Sequence, residues 1–313
     1  MIEGNPAFLL ALGCLSSRLK GDISMSILPL SKEPQPDQAE FNAFFPSKFS
    51  LKQFTSSKSD LDGATYPQPY RGTRRILVIG TDERYVKMEN GTLFSTGNHP
   101  IETLVPMYHL HAAGFEFDIA TVSGNPVKFE FWAMPDEDEA ITGLHRAYLE
   151  QFHKPLKLSD VVAGLGPDSD YVAIFIPGGH GPLAGLPFSE DVAAVIRWAF
   201  NTDRHIISIC HGPAAFLACA REGDTGNFPF GGYTITAFPD STDRETPEIG
   251  YMPGQLTWHF GEKLKALGVT IANTEPDKST HKDRKVLTGA SPFAANELGK
   301  LAAETLLAEV TEG

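Results

Sequence analysis

The chain has 313 residues, 42% of them apolar, enough for one large α/β domain with an embellishment or for two domains. Its net charge of −13 argues against a surface that tracks phosphate backbones, and so against specific nucleic-acid binding. Three cysteines without paired spacing argue against a disulfide framework and fit a reducing compartment such as the cytoplasm, and no apolar run approaches the roughly 18–20 residues of a membrane-spanning helix.

Residues 1–25 read as a disordered or targeting extension. The apolar run at 7–15 lacks a basic segment before it and a small-residue cleavage site after it. Arg18 and Lys20 among serines suggest an organellar transit peptide, and a natural start at Met25 is the alternative; Cys14 receives no role. Residues 26–73 are rich in Pro, Ser, Asp and Lys but carry Phe44, Phe45, Phe49 and Phe54, so they are expected to lie on the domain as an arm.

A regular pattern begins at Arg74. The all-apolar run at 76–79 predicts a parallel strand covered on both faces. His99-Pro100-Ile101-Glu102 opens a helix that Gly114 closes. Strands are expected at 117–122, 171–176, 206–209, 269–272 and 286–288, and an alternating edge or antiparallel strand at 233–238. Helices are expected at 192–200 and 294–310. This alternation predicts a doubly wound, mostly parallel sheet built from 74–127 and 161–313. Residues 128–160, with a helical stretch at 143–152, break the rhythm. They read as an insertion forming, with the arm, a small cap over the sheet's carboxyl edge.

The chemistry concentrates at Ile209-Cys210-His211-Gly212-Pro213. A β-branched run ends at a cysteine and a helix-compatible segment follows, which places one thiol at a strand-to-helix corner. Such a corner favours thiolate and is expected to lower the thiol pKa. His211 is the nearest activator, and Asp240 or Asp243 in the Phe-Pro-Asp-x-x-Asp run is available to orient it, although turn formation explains aspartates there equally well. Glu102 either complements its helix dipole or faces Cys210 as an acid or base. Gly178 and Gly179 follow a buried strand, where backbone amides can form an oxyanion hole. Glu116 with one of His109 and His111, which cannot share a helical face, and a further histidine such as His145 or His153, suggests a divalent metal site such as zinc. Cys219 reads as packing.

Assembled, the segments at 42–47, 94–103, 108–116, 177–181, 210–217 and 246–254 resemble the PfpI-like superfamily, which shares a flavodoxin-like fold with class I glutamine amidotransferases. They are closest to its branch of glyoxalases III, protein deglycases and stress chaperones. The resemblance implies a nucleophile at Cys210, a histidine at His211, a triad carboxylate at Asp243, a glutamate against the thiol at Glu102, and metal ligands at His111 and Glu116. Tyr148 stands where the third metal ligand is expected, with His145 one helical turn earlier. The resemblance also implies conversion of methylglyoxal and glyoxal without glutathione or any cofactor for the thiol chemistry, removal of their adducts from proteins or nucleotides, a homodimer, and unfolded client proteins. A holding chaperone with secondary thiol chemistry and a cysteine peptidase or amidase are the alternatives.

Overall fold

The run at 76–79 is apolar throughout because both of its faces are covered. The computed structural model describes residues 29–220 and 228–312, and the central sheet holds seven strands. They are β1 (Arg75–Ile79), β2 (Glu116–Thr121), β3 (Leu156–Lys157), β4 (Tyr171–Ile176), β5 (His205–Ile209), β6 (Thr280–Asp283) and β7 (Val286–Gly289). The spatial order is β6-β7-β5-β4-β1-β2-β3, and every pairing is parallel except that of β6 with β7. Ile76 and Val78 join the core on one face, with Leu104 and Val105 of α1 (Pro100–Ala112) and Leu298 and Leu306 near the chain's end. Leu77 and Ile79 join the core on the other face, with Val192 and Ile196 of a second long helix. The architecture is the mostly parallel α/β sheet that the strand–helix alternation predicts.

Further helices include α2 (Glu139–Ala147), α3 (Glu190–Asn201), α4 (Phe260–Ala266) and α5 (Ala295–Glu312). Proline at the first position of α1 sits where its missing N–H costs nothing. Ser189 caps α3 by accepting from the Val192 N–H.

Three local expectations change. The strand expected at 233–238 shrinks to Thr234–Ile235, paired in parallel with Thr270–Ile271 outside the central sheet. Beyond it the backbone finds other partners: the Thr236 N–H donates to Thr288 Oγ1, the Ala237 N–H to Asn273 Oδ1, and the Phe238 N–H to the Cys210 carbonyl. The segment after Cys210 is a 3₁₀-helix (Gly212–Cys219), a thinner winding than an α-helix and one wedged against α3 and α4. The helix expected at 143–152 is two, α2 and Leu149–His153, which meet at Tyr148.

The segment 128–160 is knitted to the sheet. Phe129 bridges to Asn98, and Leu156–Lys157 adds a strand beside β2. The arm contributes Gln35–Pro36 and Ala43–Phe45 to a separate four-stranded sheet with Leu93–Ser95 and Tyr85–Lys87. Its helix Lys48–Phe54 is tied down by the Ser47 and Ser50 hydroxyls, which donate to the Ile249 carbonyl at 2.9 and 2.7 Å. The extension at 1–25, with Cys14, lies outside the described residues. No helix among the described residues is long and apolar enough to cross a membrane.

Candidate active site

The carboxyl ends of β4, β5 and β7 converge on one corner. Cys210 follows β5 directly, donating its N–H to the Gly289 carbonyl of β7 at 2.9 Å and accepting from the Phe238 N–H at 3.0 Å. Its φ of +59° is left-handed, a conformation that a non-glycine residue adopts only when its surroundings enforce it. Gly212 permits the turn, because a Cβ there would stand 2.4 Å from the Ile176 carbonyl oxygen.

The neighbouring histidine does reach the thiol. Cys210 Sγ lies 3.2 Å from His211 Nδ1, and His211 Nε2 lies 2.9 Å from Asp243 Oδ2. Ionised Asp243 can only accept, so the neutral ring carries its proton on Nε2 and turns a lone pair on Nδ1 toward the thiol. Asp243 is fully buried; burial works against its charge, but His211, with hydrogen bonds from His180 and His211, holds its carboxyl well below the usual range. Asp240 has a different role: it accepts from the N–H groups of Gly261 and Glu262 at 3.1 and 2.7 Å and so holds the start of α4.

Glu102 also reaches the thiol, hydrogen-bonded to Cys210 and 1% exposed. Burial pushes its carboxyl well above the ordinary range, and the nearby Glu130 adds to this. The Cys210 thiol does not follow the lowering expected at a helix start. Burial pushes it up, the Glu102 and Asp243 carboxyl groups add to this, and the Gly179 amide opposes them. The two expected glycines divide the work. The Gly179 N–H donates toward Glu102 and Cys210, whereas Gly178 supplies clearance: a Cβ on it would stand 2.2 Å from Glu102 Oε2 and 2.5 Å from the Ile209 carbonyl oxygen.

Two of the expected metal ligands meet, with His111 Nδ1 3.9 Å from Glu116 Oε1, but no third ligand joins them. Tyr148 donates its hydroxyl to Glu116 Oε2 at 2.8 Å and lies 3.3 Å from His111 Nδ1. Burial and Glu116 together raise the Tyr148 phenol, so it stays protonated. A neutral phenol beside one histidine and one half-exposed carboxylate does not fit a zinc site. His145 does not replace the missing ligand, because it stacks on Phe152 with ring centroids 5.5 Å apart and packs edge-on against Phe129. His109 is a core residue bonded to Tyr66 and Asn296.

Four residues that the sequence reading passed over complete the site. His180, in the Gly-Gly-His-Gly turn, places Nε2 3.1 Å from Asp243 Oδ1, so Asp243 bridges two imidazoles. Glu130 is fully buried beside His180. Burial and the charges of His180 and His211 depress His99 to about 3. Tyr251 packs against the His180 ring. An acidic residue inside the aromatic run Phe129-Glu130-Phe131-Trp132 is the one signal that points to Glu130. All four line, with Cys210 and Glu102, a cavity of about 890 Å³ whose wall also includes Phe54, Lys58, Lys278 and Phe293.

Residues 92–225 match a family model described as the DJ-1/PfpI family. The chain is 63% identical over 278 residues to the protein/nucleic acid deglycase HchA of Escherichia coli O1:K1 / APEC, which covers 89% of this chain and 97% of that one. The HchA of Shigella boydii serotype 18 is equally similar. Among solved structures, glyoxalase III from Candida albicans superimposes with a TM-score of 0.56 at 23% identity, over 74% of this chain and 97% of that one. The Francisella tularensis Rapid Encystment Protein 24 KDa superimposes with a TM-score of 0.61 at 19% identity, over 74% and 99%. The two structures share the fold.

Proposed function

We propose, because the chain belongs to the DJ-1/PfpI family and presents a buried thiol between an imidazole and a carboxylic acid, that it is a cysteine-dependent enzyme acting on reactive 2-oxoaldehydes and their adducts. The observation that carries this reading is that Cys210 is hydrogen-bonded to the buried Glu102 as well as to His211. A hydrolase needs the imidazole, whereas moving a hydrogen between two adjacent carbons needs a second acid–base group at the thiol.

The chemistry follows from the protonation states. The Cys210 proton passes to His211 Nδ1, and Asp243 stabilises the imidazolium through Nε2. The thiolate adds to the aldehyde carbon. Glu102, held protonated by burial, gives its proton to the aldehyde oxygen, assisted by the Gly179 amide. The product is a hemithioacetal, and Glu102 is now a carboxylate in an apolar site, hence a strong base. It takes the hydrogen from the aldehyde carbon and returns it to the neighbouring carbon, while the hydroxyl proton of the hemithioacetal ends on the neighbouring oxygen. The hemithioacetal becomes a thioester, and water releases D-lactate from methylglyoxal. As the thioester is cleaved, His211 returns its proton to sulfur and Glu102 regains its own. Each step uses only groups of this chain.

The HchA relatives are deglycases by name. The same addition, applied to an adduct of such an aldehyde on a protein or nucleotide, begins deglycation. A cavity far larger than a three-carbon aldehyde accommodates the side chain that carries the adduct. Free thiols at Cys210 and Cys219 suit a reducing compartment such as the cytoplasm. A second activity, holding unfolded clients, is favoured by the exposed rings of Phe54 and Phe293 at the cavity. A homodimer is part of the same reading.

One experiment tests these readings. Purified protein is given methylglyoxal without glutathione, and D-lactate is measured. Wild type is expected to produce D-lactate and Cys210→Ala to produce none; full activity in the variant overturns the mechanism. Suppression of client aggregation that survives in Cys210→Ala identifies the holding activity as independent of the thiol.

A further inference from the structure

Glu130 is buried at the active cavity and is not accounted for by the thiol, its histidine or Glu102. One of its oxygens is occupied: Oε1 accepts from Thr96 Oγ1 at 2.5 Å and from the His180 N–H at 3.5 Å. The other, Oε2, has no partner although it is fully buried. A buried carboxylate left in that state loses several kcal/mol of solvation, on the order of what drives such groups to keep a proton. Burial does raise the Glu130 carboxyl. With Oε1 accepting two hydrogen bonds, the proton belongs on Oε2.

The side chain is also connected to the chemistry. His180 lies between Glu130 and Asp243, with Nδ1 4.0 Å from Glu130 Oε1 and Nε2 bonded to Asp243. Glu130 and Glu102 line one cavity, and Glu130 adds to the raising of the Glu102 carboxyl. The cavity therefore offers two buried acids. Glu102 is committed to the thiol side, and a dicarbonyl bound at Cys210 presents a second carbonyl oxygen that Glu102 does not serve.

We propose that Glu130 is a second catalytic acid–base group, which gives a proton to the ketone oxygen of a 2-oxoaldehyde while Glu102 takes the hydrogen from the thiol-bearing carbon. This inference rests on the function proposed above. As the C–H bond breaks, its electron pair forms the carbon–carbon double bond, and the ketone π electrons go to oxygen, which takes the Oε2 proton. The result is an enediol bound to Cys210. In the return step Glu102 gives its proton to the former ketone carbon, and the Glu130 carboxylate takes the proton of the other hydroxyl. The thioester forms and Glu130 is neutral again. The two hydroxyls of a cis-enediol sit on neighbouring carbons, so one carboxyl serves both.

The test compares turnover with simple thiol reactivity. Glu130→Gln keeps the size and the Thr96 contact but has no transferable proton. Its kcat with methylglyoxal is expected to fall about 100-fold or more, the usual contribution of a general acid. The KM, and the rate and pH profile of Cys210 alkylation by iodoacetamide, are expected to stay within a few fold, because alkylation needs no second acid. Turnover within threefold of wild type overturns the inference. So does an alkylation rate that falls in parallel with turnover, because Glu130 would then only support the thiol. If the amide variant does not fold, Glu130→Asp, which retracts the acid by one methylene, is read by the same two rates. A wild type that turns over no 2-oxoaldehyde overturns the proposed function and this inference with it, whereas an active wild type with an equally active variant overturns this inference alone.

Discussion

Cys210 shows why a thiol's reactivity is not readable from its place in a motif. A strand-to-helix corner suggests a stabilised thiolate, yet the corner is buried, the following segment is a 3₁₀-helix, and Glu102 beside the sulfur and Asp243 beyond His211 both disfavour the thiolate. In the proposed mechanism, activation therefore depends on proton transfer to His211 while Glu102 stays neutral. That balance needs Glu102 close against the thiol, and Gly178 makes the room. Gly178→Ala is expected to force the Glu102 carboxyl and the Ile209 backbone apart, because a Cβ stands 2.2 Å from one and 2.5 Å from the other. Overpacking of this kind costs about 1–3 kcal/mol. Denaturant melts check that loss, and D-lactate assays are expected to show activity reduced at least tenfold in the folded fraction. Unchanged activity would show that Glu102 need not sit against the sulfur.

The elements carry the candidate site residues by their ends. Glu102 occupies the first turn of α1, Cys210 follows β5, and Gly178 and Gly179 follow β4. These strand and helix ends are legible in the sequence because apolar runs, proline and glycine mark them. The two aspartates of the Phe-Pro-Asp-x-x-Asp run were not separable on composition, since both stand in a short helix where either turn formation or catalysis is reasonable. The fold separates them: Asp240 holds the N–H groups at the start of α4, while Asp243 turns inward to His211 and His180. Asp240→Ala is expected to lower stability by about 1 kcal/mol, the usual loss of an N-terminal cap, with kcat unchanged. Thermal melts and turnover on one preparation check this, and a kcat loss larger than the stability loss explains would place Asp240 in the chemistry. The missing third metal ligand is explained at the same level. A helix break at Tyr148 brings a phenol, not an imidazole, to His111 and Glu116, while His145 turns into an aromatic cluster.

Across the molecule, the site collects buried ionisable groups whose titrations oppose one another. His99 is depressed to about 3 by burial and by the charges of His180 and His211. The unfolded chain takes up that proton below about 6.5. The stability associated with neutral His99 is therefore complete above about pH 6.5 and is lost as pH falls toward 3. Glu102 and Glu130 act in the opposite sense: their carboxyls are raised, so the stability they contribute is present below the ordinary carboxylate range and is lost as pH rises. A single melting curve mixes these contributions, and a variant isolates one. The stability difference between wild type and His99→Asn is expected to rise by about 1.4 kcal/mol per pH unit between pH 4 and 6, the slope of one proton. Urea unfolding of both proteins at three pH values in that range measures it, and a flat difference refutes the buried neutral imidazole.

By itself the sequence determined the mostly parallel α/β architecture, the thiol corner and the glycines that let the chain pass close to it. These are local properties: apolar periodicity sets a strand, a left-handed turn or a close approach selects glycine, and one cysteine ends one strand. Only the tertiary structure decided the partners. Asp243 lies 32 residues from His211 and 63 from His180, and Glu130 lies 50 from His180, so no spacing rule joins them. The direction of each pKa followed the same division, because burial and neighbouring charge, not residue type, set whether a proton stays on Cys210, Glu102 or Glu130.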